Sequence, residues 1–429
     1  HRSMATVPST SAEAESALYQ LLDRYQSTGR AISVNFRLLA SWLPIGERAT
    51  HYLHPYPAKL LPHIPAFFLS SRHISSPGDT VMDPFCGSGT VLLESILSGR
   101  NAVGTDSNPL ARLIARVKVT DLDPRGLPSL ARSVLRRAAA YRHAPRPDVV
   151  NLDYWYLPRL AEELSRLRRA IDSVRDAAAR ELLLVCLSAC ARKVSLADPR
   201  VSVPVRLRRN QYPPAHPLRR ASNQRLRSIK SMSAFSEFAA IVDLTALRVQ
   251  AMRGLRRGEA AALVIGDDAR TISRESARWP AAGVDLIVTS PPYAGAQKYI
   301  RASSLSIGWL GLSNAQSLRQ LEDDCIGREH FRKAAHDQIP LTGNEDADKR
   351  IRRVARVNRT RALIAATYLV EMREALTEAA QCLRPGGRFV LVAGNNSICG
   401  VAFRTESYLV DMLEQTGLRT ELRLVDAIR

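Results

Sequence analysis

The chain has 429 residues, of which 45% are apolar and 24% are charged, so it can bury one large core or two smaller ones. Its 61 Lys and Arg residues against 41 Asp and Glu residues give a net charge of +20, which favours a polyanionic partner such as nucleic acid. We find no signal peptide and no apolar run long enough to span a bilayer, so we expect a cytoplasmic protein without a membrane partner. Its six cysteines lack paired metal-ligand spacing, so we predict no metal site.

The first 49 residues predict a short lead and then a helix over about 12–25. The proline-rich stretch 54–62 follows, and a second short helix is predicted over 64–69. Pro57, just before an Ala-Lys-Leu-Leu stretch, fits a helix start, although a proline-rich connector is the simpler interpretation.

A glycine-rich loop begins at Asp83, after a short strand over 79–82, and leads into a helix over 91–97. A strand, a glycine-rich turn and a helix form the first unit of a Rossmann-like sheet. Gly87 and Gly89 allow the backbone to approach a ligand closely, and the helix N-terminus behind them favours an anion.

The next predicted strand covers 101–105 and ends in Asp106. An acid about 20 residues beyond such glycines usually binds a ribose diol. The alternative is an ordinary helix cap that leads into Asn108-Pro109.

From 121 to 258 the alternation of strands and helices stops, and helices are predicted over about 126–142, 158–194 and 224–256. The loop 197–222 between them is rich in Pro and Arg. Because arginines bind phosphates and guanine edges, this loop is our first candidate for contacting nucleic acid, through Arg206, Arg208 and Arg209. The alternative is a solvated loop without a binding role.

The sheet pattern resumes with a strand over 262–266 that is followed by Asp267 and Asp268. A second apolar run, 283–288, precedes the tetrapeptide Ser290-Pro291-Pro292-Tyr293. The two prolines stiffen the backbone and leave its carbonyls free, so a hydroxyl before them and an aromatic ring after them can receive a flat heterocycle.

A basic insertion, 295–360, follows and carries Lys298 and Arg301, two further candidates for contacting nucleic acid. We then predict a helix over 360–382, a turn at 383–387, a strand over 388–393, a helix over 405–416 and a strand over 419–426. The sequence ends one strand earlier than a seven-stranded sheet would require.

The glycine loop and the Ser290–Tyr293 tetrapeptide, in this strand order, resemble those of the S-adenosylmethionine-dependent DNA amino-methyltransferases, the N4-cytosine and N6-adenine type. The resemblance covers most of 50–300 and 365–427. It implies an α/β fold of the class I methyltransferase kind: a Rossmann-like, mostly parallel sheet with flanking helices. The domains predicted on this basis are the lead 1–49, a first catalytic part 50–120, a helical insertion 121–258 that is a candidate for target recognition, and a second catalytic part 259–429.

The resemblance also implies the site residues. It assigns the cofactor S-adenosylmethionine to the segment His54, Pro55 and Lys59, to the loop residues Asp83, Phe85, Gly87, Gly89 and Thr90, to Asp106 for the ribose, and to Asp267 for the adenine. It assigns catalysis to Ser290, Pro291, Pro292 and Tyr293, which would hold a base flipped out of double-stranded DNA. Ser rather than Asp or Asn at position 290 favours the N4 amine of cytosine.

Several alternatives stay open at this stage. They are an adenine-N6 DNA methyltransferase, an RNA methyltransferase acting on guanine N2, a protein-glutamine methyltransferase, and a DNA-binding protein with an inactive methylase fold. The implied setting is the nucleoid, and a cognate restriction endonuclease is a partner that the sequence does not establish. The family normally has one short helix between the ribose and adenine acids, whereas about 140 residues separate them here.

Overall fold

The computed structural model describes residues 10–44, 46–57, 59–295, 298–314, 316–331 and 338–426. Its centre is a five-stranded parallel sheet with the strand order β4-β3-β2-β5-β6. These strands are β2 (Thr80–Asp83), β3 (Asn101–Gly104), β4 (Ala262–Val264), β5 (Val284–Thr289) and β6 (Leu383–Leu391). This arrangement confirms the expected α/β fold with a mostly parallel sheet.

Helices cover both faces of this sheet. The α-helices are α1 (Ser11–Thr28), α2 (Phe36–Leu39), α3 (His63–Leu69), α4 (Thr90–Leu97), α5 (Pro109–Val119), α6 (Leu127–Ala140), α7 (Leu152–Trp155), α8 (Pro158–Asp172), α9 (Ala177–Val194), α10 (Leu218–Ser231), α11 (Ala234–Leu255), α12 (Tyr299–Leu310), α13 (Leu318–Asp324), α14 (Glu345–Val357), α15 (Arg359–Gln381) and α16 (Thr405–Glu414). Among the described residues, 3₁₀ turns span Pro124–Gly126 and, with a kink, Ala269–Arg278.

The central strands alternate their side chains between two apolar layers, as extended backbone requires. Val81 and Leu286 pack with Leu69 of α3 and Val91 of α4 on one face. Met82 and Ile287 pack with Ala379, near the end of α15, on the other face. The central strands β2 and β5 are therefore buried on both sides, which is typical of parallel strands.

The helical segment between β3 and β4 shares its core with the rest of the protein. Buried residues of α6, α8, α9 and α11 form one cluster with Leu110 and Ile114 of α5 and with Ile307 and Trp309 of α12. The Tyr156 ring meets the Trp309 ring edge-on, with a centroid distance of 5.3 Å. This segment is thus packed against the helices that flank the sheet.

Several predicted boundaries were wrong. Residues 59–61 form no helix, in agreement with the connector interpretation, and the short helix predicted over 64–69 is α3, which begins at His63. The predicted helix over 158–194 is the pair α8 and α9, and the one over 224–256 is the pair α10 and α11. The predicted turn at 383–387 is an irregular part of β6, where the register with β5 shifts between Val284 and Leu286.

The final predicted strand, 419–426, is shorter than predicted and is not part of the central sheet. Only β9 (Leu424–Asp426) is a strand, and it pairs in parallel with β1 (Ile32–Val34) in a separate two-stranded sheet. A separate antiparallel hairpin joins β7 (Asn396–Ile398) to β8 (Val401–Phe403). Leu422 and Leu424 pack against the same apolar cluster as Val390 and Val392.

None of the described helices is both long and apolar enough to cross a membrane. Likewise, among the described residues we find no group of three or more His, Cys, Asp and Glu side chains that could hold a metal ion.

Candidate active site

The predicted site residues follow four neighbouring strands at one edge of the sheet. Asp83 ends β2, Asp106 follows β3, Asp267 follows β4, and Ser290 follows β5 directly. Because these strands are parallel and adjacent in the order β4-β3-β2-β5, their carboxyl ends meet at this edge. The fold therefore gathers residues that are up to about 200 positions apart in the sequence.

The glycine loop is bent at its two predicted glycines. Gly87 has φ +49° and Gly89 has φ +77°, a backbone region that residues with a side chain rarely adopt. A β-carbon at Gly89 would lie 2.9 Å from that of Ala115, so glycine is also required there by close packing with α5. At Gly87 the nearest atom would be 3.9 Å away, on the Tyr56 ring, so the backbone is open on this side.

Asp106 is held by backbone amides at the tip of β3. Its Oδ2 accepts a hydrogen bond from the Gly87 N–H at 2.9 Å, and its Oδ1 accepts one from the Asn108 N–H at 2.8 Å. Burial raises the pKa of this carboxyl, and the two hydrogen bonds offset part of the rise. Each carboxylate oxygen still has a lone pair, so the group can accept further hydrogen bonds from hydroxyls of a ligand.

The two acids after β4 have different environments. Asp268 caps the following 3₁₀ segment and forms a salt bridge with Arg270 at 2.9 Å. Asp267 is exposed and makes no hydrogen bond or ion pair with the described part of the chain. Of the two, only Asp267 has its carboxylate available for a ligand.

Asp83 connects the glycine loop to the loop that carries Ser290. Thr289, the last residue of β5, donates a hydrogen bond from Oγ1 to Asp83 Oδ1 at 2.7 Å, and the Phe85 N–H donates to the same oxygen at 3.1 Å. Burial raises the pKa of Asp83 to about 7, against the lowering effect of these hydrogen bonds. Sequence reasoning missed Thr289; its only signal was a hydroxyl at the end of an otherwise apolar strand.

The tetrapeptide after β5 presents free polar groups. Ser290 is partly exposed, and neither its hydroxyl nor the Pro291 carbonyl has a hydrogen-bond partner among the described residues. Pro291 is buried, whereas Pro292 and Tyr293 are partly exposed. The Tyr293 ring lies against the chain after β6, where a β-carbon at Gly394 would be 3.2 Å from its hydroxyl oxygen.

The segment His54–Lys59, predicted to cover the cofactor, is held in place by a contact between His54 and α9. His54 is buried, and its Nε2 lies 2.8 Å from Ser188 Oγ of α9; burial lowers its pKa to about 3. Pro55 is exposed. The side chain of His54 therefore packs in the interior, and its predicted contact with a cofactor stays a prediction.

Lys59 folds back onto the same segment. Its Nζ donates to the His54 carbonyl at 2.6 Å and to the His51 carbonyl at 3.2 Å, and burial lowers its pKa to about 8. His51 in turn contacts Glu94 of α4 at 2.7 Å, next to Arg48 at 2.9 Å. This buried polar network fixes the segment to the helix behind the glycine loop.

Asn108 is a second residue that sequence reasoning missed. It is buried at the N-cap of α5, and its Nδ2 donates to Tyr56 Oη at 3.2 Å and to Ser303 Oγ of α12 at 3.0 Å. It thereby joins the segment before the glycine loop to the helix after the tetrapeptide. Its cap position before Pro109 was visible in the sequence, but these two partners were not.

The candidate nucleic-acid residues differ in availability. Arg206 lies over the Tyr154 ring, with 4.5 Å from its guanidinium carbon to the ring centroid, while Arg208 and Arg209 are exposed. Lys298 forms an ion pair with Glu329 at 3.2 Å, and Arg301 is exposed at the start of α12. The five do not share one environment.

The site fits a nucleoside carrying an amino-acid tail. The open backbone at Gly87, the buried N-terminal turn of α4 at Thr90, the amide-held Asp106 and the unpaired Asp267 follow one another along the sheet edge. Phe85 packs in the same cluster as Ala294, immediately after the tetrapeptide. We call the group Gly87, Thr90, Asp106 and Asp267 the ligand cradle. The ligand cradle and the tetrapeptide are therefore adjacent.

The sequence is similar to those of known methyltransferases. Residues 50–116 match the profile of a family described as DNA methylase. The chain is 22% identical over 387 residues to the type II methyltransferase M.MvaI of Kocuria varians, covering 86% of this chain and 82% of that protein. It is 36% identical over 91 residues to the type II methyltransferase M.MjaII of Methanocaldococcus jannaschii, covering 21% of this chain and 17% of that protein. A solved structure, the rRNA methyltransferase aviRa of Streptomyces viridochromogenes, aligns with 14% identity and a TM-score of 0.24, covering 58% of this chain and 66% of that one.

Proposed function

We propose that the chain, which is similar to type II DNA methyltransferases, transfers a methyl group from S-adenosylmethionine to the exocyclic N4 amine of cytosine in DNA. One observation carries this proposal: the hydrogen bond of 2.7 Å from Thr289 to Asp83 joins the ligand cradle to the loop with the free Ser290 hydroxyl. A methyl donor and an amine held on these two loops would meet at one sheet edge.

The residues that would hold the cofactor each supply a different contact. The Gly87 backbone and the N-terminus of α4 favour the carboxylate of the methionine part. Asp106 would accept hydrogen bonds from the ribose hydroxyls, and Asp267 from the adenine. The cofactor brings an electrophilic methyl group on a sulfonium.

The tetrapeptide would activate the amine by position. Ser290 Oγ and the Pro291 carbonyl would each accept a hydrogen bond from the amine, which favours a pyramidal nitrogen with a directed lone pair. With the cofactor bound, the nitrogen would form its bond to the methyl carbon as the sulfur–carbon bond breaks, and one proton would leave the amine for solvent. No cysteine nucleophile is needed, and burial raises the pKa of the nearby Cys86 thiol well above its ordinary value.

The base must leave the duplex to reach this loop. Stacking on the Tyr293 ring would offset part of the unstacking cost, by about 1–3 kcal/mol per base. The net charge of +20 and the exposed Arg208, Arg209 and Arg301 supply attraction for the DNA backbone. Serine at position 290 favours cytosine N4; adenine N6 is the second candidate, because the same loop geometry accepts either amine.

Transfer of a labelled methyl group from S-adenosylmethionine to duplex DNA, tRNA and protein, assayed in parallel, tests this proposal. We expect label in DNA alone. Label in tRNA or protein but not in DNA would contradict it. The Asp106→Ala variant serves as a control, since it should lose cofactor affinity by about 1.5–3 kcal/mol while remaining folded.

A further inference from the structure

The first turns of α15 lie directly against the loop that follows Tyr293. A β-carbon at Gly295 would lie 3.0 Å from Ile364 Cγ2 and 3.4 Å from Arg361 Nη1. Tyr368, one turn further along the same face, lies beside Gly327, whose own β-carbon would be 2.8 Å from the Tyr293 carbonyl oxygen. At 1.5 Å per residue, the start of α15 is only about 3 Å along the helix axis from Arg361. The end of α14 therefore lies close to the candidate catalytic loop.

Charge is distributed unevenly along α14. Its first turns carry acids that are each matched: Glu345 pairs with Lys349 at 2.8 Å and Asp346 with Arg350 at 2.8 Å, and Asp348 accepts a hydrogen bond from Thr342. Its second half carries Arg352, Arg353 and Arg356, all exposed and without a hydrogen-bond or ion-pair partner in the described ranges.

A simpler role for these arginines is to stabilise the helix end, where cations interact favourably with the macrodipole. That effect is confined to the last turn, so it accounts for Arg356 but not for Arg352 and Arg353. It also does not account for Val357, which is 70% exposed at the tip of the corner. Arg352 also interacts electrostatically with Glu345, whereas Arg353 shows no such interaction with the described residues. The corner between the two helices therefore presents basic side chains to solvent.

We propose that this corner, residues 352–357 with Arg361, binds the phosphate backbone of the substrate DNA beside the flipped base. The inference rests on the proposed function, because it takes DNA as the substrate. A base held on Tyr293 leaves its flanking phosphates next to the loop 293–295, and a guanidinium forms charge-assisted hydrogen bonds with phosphate oxygens. The corner would then position the strand rather than read its sequence.

The salt dependence of DNA binding tests this inference through the double variant Arg353→Gln/Arg356→Gln. A matched control, Arg72→Gln/Arg257→Gln, removes two exposed arginines that line a cleft beside Gly78 and Asn101, at the opposite, amino-terminal edge of the sheet. Each lost phosphate contact should reduce the slope of log affinity against log salt by about 0.9, so the corner variant should lose about 1.8 and the control should lose nothing. Cofactor affinity should stay at the wild-type value in both.

A corner variant whose slope equals that of the wild type, in a preparation where the wild type binds and methylates duplex DNA, would overturn the corner and leave the proposed function standing. A wild-type protein that transfers no methyl group to DNA would overturn the proposed function, and this inference with it.

Discussion

Among single residues, one buried contact holds the two halves of the candidate site together. Asp83 and Thr289 are 206 positions apart, and both are buried where their strands end. The sequence does not predict this contact, because β2 and β5 are neighbours only through the crossover connection that joins them. The contact matters because it fixes the position of Ser290 relative to the glycine loop.

Replacing Thr289 by Val keeps the shape of the side chain and removes the hydrogen bond. The Asp83 carboxyl then loses a partner inside the protein, so unfolding should become easier by about 1–3 kcal/mol. Turnover should fall about tenfold, and Thr289→Ser should restore it. We expect KM for the cofactor to change little, since the hydrogen bond positions Ser290. Wild-type stability and turnover in Thr289→Val would show that the contact positions nothing.

The raised pKa of Asp83 predicts a pH dependence of stability. The folded carboxyl keeps its proton up to about pH 7, whereas the unfolded one loses it near pH 4, so the wild type loses stability as the pH rises between these values. Asp83→Asn does not titrate but can still accept the hydrogen bond from Thr289. Between pH 5 and pH 8 this variant should gain roughly 2–3 kcal/mol in free energy of unfolding relative to the wild type. Denaturant unfolding at both pH values measures the difference, and a pH-independent difference would contradict the assignment.

At the scale of elements, the Arg- and Pro-rich stretch is more ordered than its composition suggests. Arg200 bonds to Asp198, Tyr212 and Ser222, and the Tyr212 ring stacks on His216 at 4.5 Å. Part of the arginine content is therefore structural. The remaining exposed arginines are the ones left for a partner.

This division separates the three arginines that the sequence grouped together. Arg208→Gln/Arg209→Gln should reduce the salt slope of DNA binding by about 1.8 without loss of stability. Arg206→Gln should leave the slope unchanged and cost about 0.5–1 kcal/mol of stability, because it loses the contact with the Tyr154 ring. Fluorescence anisotropy across a salt series, with chemical unfolding alongside, measures both. Equal effects on the slope from Arg206 and from the pair would refute the division.

The elements that the sequence predicted well are those with local signals. The glycine loop, the strand before Ser290 and the long helix α15 are marked by turn residues and apolar periodicity. The irregular start of β6 was missed because Arg384, Pro385 and two glycines are ordinary turn residues, and only pairing with β5 draws them into the strand. Likewise the partner of β9 could not be predicted, since β1 lies almost 400 residues earlier.

At the scale of the whole molecule, the added helices and the sheet form one packed body. The cluster that joins α9 and α11 to α5 and α12 ties the helical segment to the elements on either side of the candidate site. His54 illustrates the consequence: its partner Ser188 lies in that segment, so the covering segment and the added helices stabilise each other. From the sequence we predicted a cofactor contact for His54, because no local signal indicated that its partner is Ser188.

We propose that the protein methylates an exocyclic amine of DNA, and the identity of the methylated nucleoside is the decisive measurement. Duplex DNA treated with the enzyme and S-adenosylmethionine should yield N4-methylcytosine by mass spectrometry. The Ser290→Ala variant, which keeps the cofactor cradle, should produce it about tenfold to a thousandfold more slowly. N6-methyladenine would contradict the choice of base. 5-Methylcytosine would contradict both the proposed reaction and the proposed site, because methylation of a ring carbon needs a covalent nucleophile that the Ser290–Tyr293 loop does not provide.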